Sequence, residues 1–422
     1  MKPAGRLPQL GRLASADVRS VMAALSARGA TARFVGGCVR DGLIGRPIGD
    51  VDLATTDTPE TVLALLATAG IKAIPTGVEH GTVTAVIGAT HVEITTLRHD
   101  VETFGRRARV AYTDDWEADA ARRDFTINAL YADSDGTLYD PFGGADDLRE
   151  GRVRFVGTAE ERIREDVLRL LRFFRFHAHY GRGAPDPDGL AACRRLAHLL
   201  PSLSGERVAG EIFKILSAPD VHAIVTLMEE TGVLVHILPE ARALGRLATL
   251  GSIEDAVGAA GPLRRLAVLI EGGTDAADAV ATRLRLSNEQ RARFVGMVET
   301  TPPIHRDLDR RHVRRILYRI GAERFRDRVL FAWADSVSRG ASASETDGWT
   351  RLLAEADAWR PLELPVKGRD VVALGVEGGP EVGRLLEALE SWWIDGDMRA
   401  GREEALAHLR SLVASSRGKG GR

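Results

Sequence analysis

The sequence predicts an α+β protein, a mixed α/β head followed by an all-α remainder, and three observations carry that prediction. Up to about residue 150, short β-branched stretches such as Val51 to Thr55 and Val83 to Leu97 alternate with amphipathic helical stretches. After Gly157 nearly every stretch has helical spacing and strand signals become rare. The 422 residues, 44% hydrophobic and 27% charged, form an ordinary mixture that can bury real cores and excludes wholesale disorder.

Each element follows from local chemistry. Ser15 stands before Val18, Val21, Met22 and Leu25, a capped amphipathic helix ended by Gly29. Arg33 to Val35 is a short strand broken by Gly36-Gly37, and Val39 to Ile44 a short helix. Thr61 to Ala69 is a helix between the strands Val51 to Thr55 and Val83 to Leu97, the latter with Val92 and Ile94 inward and Glu93 and Thr95 outward. Helices are then expected over Ala159 to Tyr180, Leu190 to Leu200, Glu206 to Ser217 and Val221 to Thr231. The expected divisions are 1–150, 151–220, 221–358 and 359–422, with Trp359 to Pro365 the last seam and a Gly/Lys/Arg-rich end frayed from Gly418.

Lys+Arg total 57 against 59 Asp+Glu, so a basic surface could only be a local segregation of charge. Two cysteines, Cys38 and Cys193, exclude a disulfide framework and a four-cysteine zinc site and fit a reducing compartment. The first residues lack an apolar signal core and no apolar run is long enough to span a bilayer, so a cytoplasmic protein with no membrane partner is expected. Oligomeric state is left open.

The densest chemistry is Gly36-Gly37-Cys38-Val39-Arg40-Asp41, followed by Asp50-Val51-Asp52. Alternation along a strand points Asp50 and Asp52 the same way, and two carboxylates so close repel unless a cation intervenes. Hard oxygen ligands suit Mg²⁺, which shares its shell with substrate phosphates. The glycine turn lets backbone N–H groups approach a phosphate, the helix starting there adds its positive end, and Arg40 is a fork donor for the same anion. Taken singly these pieces are ordinary: a turn, a solvated strand flank, a small packing cysteine. Their order is what is specific.

GGCVRD followed by GDVD resembles the head of the class II tRNA nucleotidyltransferases and bacterial poly(A) polymerases, part of the polymerase-β-like superfamily. The resemblance implies that Asp50 and Asp52 are catalytic metal ligands, that Gly36, Gly37 and Arg40 hold a triphosphate, and that Glu93 is a candidate third catalytic carboxylate. Arg122-Arg123-Asp124-Phe125-Thr126-Ile127-Asn128-Ala129 is similar to the family motif beside the ribose, which implies nucleotide contacts for Arg123 and Asp124. Glu165-Asp166-Val167-Leu168-Arg169 is similar to the family's nucleobase-reading motif. A carboxylate beside a guanidinium complements the amine donor and ring-nitrogen acceptor shared by cytosine and adenine. Asp166 and Arg169 are therefore expected to select CTP and ATP, with Arg172 and Arg175 further along one helical stripe. Glu206, Arg207, Glu211 and Lys214 resemble the next helical motif and are read as scaffolding.

The resemblance implies a nucleotidyltransferase head over 1–150, a nucleobase-reading neck over 151–220, and an RNA-binding body and tail over 221–358 and 359–422. Pro75 to Val83 looks like the tRNA-type head, and the polar stretch Arg98 to Asp119, with Gly105, Arg106 and Arg107, like the loop of enzymes that switch from CTP to ATP. Weaker matches continue to Lys367-Gly368-Arg369-Asp370 and Gly378-Gly379-Pro380. Arg306, Arg310, Arg311, Arg314, Arg315 and Arg319 could follow a phosphate backbone. No His–Asp constellation for an added phosphohydrolase is visible. The expected activity is CCA addition to tRNA from CTP and ATP with Mg²⁺. A poly(A) polymerase, a CC-only or A-only enzyme, and an inactive RNA-binding protein on the same fold are the alternatives.

Overall fold

The strands are β1 (Pro3–Arg6), β2 (Ala32–Val35), β3 (Val51–Thr55), β4 (Lys72–Gly77), β5 (Thr82–Ile87), β6 (Thr90–Thr96), β7 (Arg98–Phe104), β8 (Arg107–Tyr112), β9 (Tyr131–Ala132) and β10 (Thr137–Tyr139). The computed structural model describes residues 1–104 and 107–419; Gly105 and Arg106 of the expected polar loop lie outside the described residues, as do residues 420–422 of the expected frayed end. An eight-stranded sheet has the order β1-β10-β9-β2-β3-β6-β5-β4, and β7 and β8 form a separate hairpin. Every neighbouring pair in the large sheet is antiparallel except β3 and β6. That parallel pair needs a crossover, which α3 (Pro59–Thr68) begins.

Helix α1 (Ala16–Ser26) starts where Ser15 Oγ accepts from the Val18 N–H, and it buries Val18, Val21, Met22 and Leu25 on the sheet. Helix α2 (Gly37–Leu43) follows β2 directly, with Val39 and Cys38 buried in the same core as Val51, Leu53, Val92 and Ile94. Next come α4 (Trp116–Ala121), capped by Asp115, and α5 (Gly144–Glu150), whose first N–H groups bond to Asp140. A Cβ on Gly144 would lie 2.1 Å from the Thr126 carbonyl oxygen, so only glycine lets α5 approach the Thr126–Asn128 turn.

The expected helix over Ala159 to Tyr180 is two helices, α6 (Ala159–Glu165) and α7 (Leu168–Tyr180), parted where Asp166 is extended at φ −146°, ψ 105°. Asp166 therefore does not share a helical stripe with Arg169, Arg172 and Arg175. Helices α8 (Pro187–Leu196), α9 (Gly205–Leu216) and α10 (Val221–Glu230) follow close to expectation. The stretch Arg98 to Asp119, read as a loop, instead contains the β7–β8 hairpin and α4. Strands β1, β4, β9 and β10 were not expected: β1 and β4 are edge strands interrupted by Pro and Gly, and β9 and β10 are too short to show a period.

Two compact units divide the chain, Met1–Ala241 with Arg283–Arg285, and Arg242–Thr282 with Leu286–Arg422. The second is helical, comprising α11 (Leu244–Val257), α12 (Pro262–Leu269), α13 (Gly273–Arg283), α14 (Asn288–Val298), α15 (Arg310–Ser338, interrupted at Gly321), α16 (Asp347–Ala358), α17 (Gly368–Ala373), α18 (Pro380–Asp395) and α19 (Arg402–Lys419). Its ionic core joins Arg264 to Glu254 and Asp327, with Arg265 on Glu254 at 2.6 Å. A second apolar cluster of Val366, Val371, Leu385, Leu389 and Leu409 binds α17, α18 and α19. No helix is long and apolar enough to cross a membrane among the described residues.

Candidate active site

Asp50 immediately precedes β3 and Asp52 is its second residue, separated by the buried Val51. The parallel register sets Asp52 directly beside Glu93 of β6. Three acids thus gather at one end of the only parallel strand pair in the sheet, and none has an ion-pair partner among the described residues. Burial, reinforced by repulsion from Glu93 and Asp50 and only partly offset by Arg123, pushes the Asp52 carboxyl up to about 6. Such a set is costly to ionise alone and fits a hard divalent cation. Among the described residues no group of three His, Cys, Asp or Glu side chains is placed to hold a metal ion by itself.

The glycine turn is built by backbone conformation. Gly36 adopts φ 70°, ψ −123°, a region closed to L side chains, and its N–H donates to the Leu130 carbonyl. The Arg123 guanidinium stands next to it, within 3.6 Å of where a Gly36 Cβ would be. Cys38 is a packing residue, its Sγ donating to the Val35 carbonyl at 3.4 Å and its thiol pushed up to about 11 by burial.

Arg40, expected as an open fork for phosphate, is already engaged. Its Nε and Nη2 bond to the two oxygens of Asp41, and Nη1 donates to Asn128 Oδ1 at 2.6 Å. Asn128 in turn donates to Asp124 Oδ1 at 3.0 Å, and Asp124 Oδ2 accepts from Arg172 Nε at 2.6 Å. Asp124 is buried, yet Arg172 and Asn128 outweigh that burial and hold its carboxyl below the usual range. Arg123 donates to Tyr131 Oη and to Asp119 Oδ2, and Arg122 pairs with the other Asp119 oxygen. Burial would raise Asp119, but the two guanidiniums hold it at about 2.

In the neck, Asp166 and Arg169 are sequence neighbours with different partners. Asp166 accepts from Arg207 Nη2 through both oxygens, at 3.0 and 2.8 Å. Arg169 bonds to Glu165 at 2.6 Å and to the carbonyls of Arg162 and Arg122. Arg175 pairs with Glu211 at 2.9 Å over the Phe176 ring. The structure brings Gly36, Arg40, Asp50, Asp52, Glu93, Arg123, Asp124 and Arg172 into one connected region of the first unit, with Asp166, Arg169 and Arg175 on the adjoining α6–α9 segment. Arg207 and Glu211, read as scaffolding, reach directly to the expected base-reading residues. Asp119 was missed, although its spacing of three and four before Arg122 and Arg123 was a usable signal. Tyr131 and Tyr180 carried none.

A family model described as "Poly A polymerase head domain" matches residues 32–154, and one described as "Probable RNA and SrmB- binding site of polymerase A" matches 184–244. A CCA tRNA nucleotidyltransferase 1, mitochondrial, from Danio rerio is 36% identical over 391 residues, 89% of this chain and 86% of the relative. The chain belongs to the CCA tRNA nucleotidyltransferase family. The mouse protein of the same name is 34% identical over 412 residues, 96% of this chain and 92% of its own. The solved Bacillus stearothermophilus CCA-adding enzyme in complex with CTP superposes with a TM-score of 0.75 at 30% identity, covering 96% of this chain and all of that one. As in other CCA tRNA nucleotidyltransferases, a polymerase-β-like head with a mixed sheet precedes a helical body.

The arginine-rich stretch of this nucleotidyltransferase lies in the second unit, where acids neutralise much of it. Arg306 pairs with Glu345, Arg314 with Asp397 at 3.0 Å and Arg315 with Asp395 at 2.8 Å, while Arg311 donates to the Asp395 carbonyl. Arg310 and Arg319 have no ion-pair partner among the described residues. His312 Nδ1 lies 2.5 Å from Asp309 one helical turn away, and no third metal-type ligand joins this pair among the described residues.

Proposed function

We propose that this chain builds the CCA terminus of tRNA, transferring CMP, CMP and AMP from CTP and ATP to the 3′ end with no nucleic-acid template. The observation that carries the reading is the unpaired acid set at the β3–β6 pair in a chain so similar, over 89% of its length, to a CCA tRNA nucleotidyltransferase. Asp50 and Asp52 would hold Mg²⁺, with Glu93 the adjoining third acid. When bound, the ion lowers the pKa of the tRNA 3′-hydroxyl and neutralises charge on the departing pyrophosphate.

The remaining work falls to the chain's own groups. The Gly36 N–H is committed to the Leu130 carbonyl, so the backbone N–H of Gly37 at the start of α2 receives the triphosphate, and Arg123, half-buried beside Gly36, supplies fixed positive charge next to it. Arg40 and Asp124 act through their mutual network, fixing Arg172 beside the nucleotide. Asp166 accepts the exocyclic amine and Arg169 donates to the ring nitrogen, a pattern that cytosine and adenine satisfy and guanine and uracil do not. Because Arg207 occupies both Asp166 oxygens, the incoming amine takes a further lone pair of that carboxylate or displaces Arg207 from it.

Residues 1–150 would serve as the catalytic head, 151–220 as the nucleobase-reading neck, and 221–358 and 359–422 as a body and tail that grip tRNA. Two buried free thiols favour a reducing compartment, and we assign the chain to the cytoplasm; the zebrafish and mouse relatives carry mitochondrial names. The reading is tested by incubating the protein with tRNA lacking its terminus and each nucleotide separately and together. CTP alone should give two additions, and CTP with ATP three and then a stop. A long A tail would indicate a poly(A) polymerase, and no addition an inactive RNA-binding protein.

A further inference from the structure

Helix α7 is fastened to the glycine-turn helix at its far end by a residue outside every motif considered above. Tyr180, the last residue of α7, donates its phenolic hydrogen to Asp41 Oδ1 at 2.9 Å. Its ring packs against two guanidiniums, with Arg40 Cζ 4.1 Å and Arg46 Cζ 4.6 Å from the ring centroid. Arg46 also donates to the His179 carbonyl at 2.8 Å, so the terminal turn of α7 is held by both backbone and side chain.

The contact closes a ring. From Tyr180 the bonds run to Asp41, Arg40, Asn128 and Asp124, and return to α7 at Arg172, eight residues earlier. Helix α7 is thus tied to the head at two points about 12 Å apart along its axis, taking the usual rise per residue. A helix tied at one point can pivot, whereas a second tie fixes its direction and rotation. The groups whose placement depends on that direction are Arg169 and Arg172, and the frame they are placed against is the Gly36 turn beside Asp52.

We propose that Tyr180 is a positioning residue that sets α7 against the glycine turn and so governs nucleotide affinity and base choice, an inference that rests on α7 being the base-reading helix. Misdirecting α7 weakens ground-state contacts to the base while leaving the acids of β3 and β6 in place, so the effect falls on KM more than on kcat. The experiment compares wild type, Tyr180→Leu and Tyr180→Phe, each as the full chain with tRNA lacking its terminus. It reads KM and kcat for CTP and ATP, the preference for CTP over UTP, and Tm.

Tyr180→Leu, which removes both the hydrogen bond and the ring, should raise KM about three- to tenfold and lower the CTP-over-UTP preference, with kcat changed less than about twofold. Tyr180→Phe keeps the ring against the guanidiniums but loses the bond to Asp41, and should show a smaller rise in KM, about twofold, with a correspondingly smaller drop in preference. If Tm falls in Tyr180→Leu but KM and base preference stay at wild-type values, Tyr180 is only structural and the proposal is overturned. Should Tyr180→Leu fail to fold, unchanged KM and preference in Tyr180→Phe overturn it equally. A wild-type chain that adds no nucleotide would instead refute the activity itself, and the positioning role with it.

Discussion

Asp52 is a residue that costs the fold stability when it is ionised. Its carboxyl is pushed up to about 6 by burial first and by Glu93 and Asp50 second, against an unfolded value near 4. The folded state therefore binds the proton more tightly than the unfolded chain. The stability this proton confers is present below about pH 4 and is lost as pH rises through about 6. In metal-free protein, Asp52→Asn should be more stable than wild type at pH 7, by on the order of 2 kcal/mol, with the gap closing toward pH 4. Thermal melts of both proteins across that range check it; a gap independent of pH would remove the account of the acid cluster. Mg²⁺ should raise the Tm of wild type and leave that of Asp52→Asn nearly unchanged.

At the scale of elements, the loop-to-helix joint at Asp166 matters more than the helix itself. Arg207 of α9 holds Asp166 while Glu211 of the same helix holds Arg175, so α9 sets both ends of the expected base-reading surface. Asp166→Ala should lower the preference for CTP over UTP by about tenfold, the order expected for one lost hydrogen bond to a charged acceptor, and nucleotide competition assays read it directly. Unchanged selectivity would assign Asp166 to bracing α9 alone. Much of this architecture was legible beforehand: β3 was expected at its observed bounds, Glu93 was read as outward, and the glycine turn was placed between β2 and α2, although the single strand expected over Val83 to Leu97 is the antiparallel pair β5 and β6 turning at Gly88. What escaped was decided by distant partners. Nothing local to Arg40 announces Asn128, 88 residues away, and nothing local to Asp166 announces Arg207, 41 residues away. The break between α6 and α7 hid behind helix-forming residues on both sides, and the edge strands β1 and β4 owe their existence to a neighbour rather than to their composition.

Across the whole molecule, a net charge of −2 has to coexist with a grip on a polyanion. Of the six arginines considered in the second unit, Arg306, Arg314 and Arg315 are balanced by Glu345, Asp397 and Asp395 and Arg311 is engaged by a carbonyl, which leaves Arg310 and Arg319 as its candidates for phosphate contact. If they carry it, tRNA affinity should fall steeply with salt, and Arg310→Ala should reduce the slope of log K against log salt by about 0.7–0.9. Equilibrium binding at several salt concentrations reads this, and an unchanged slope would move the tRNA grip elsewhere. The central claim is narrower than the grip. It is the proposal that Asp50 and Asp52, which have no ion-pair partner among the described residues, share a cation with the nucleotide. It is tested most directly by measuring single-nucleotide addition from CTP by Asp52→Ala and wild type at equal tRNA occupancy. The account predicts that incorporation is abolished while tRNA binding stays nearly intact; turnover equal to wild type would contradict it.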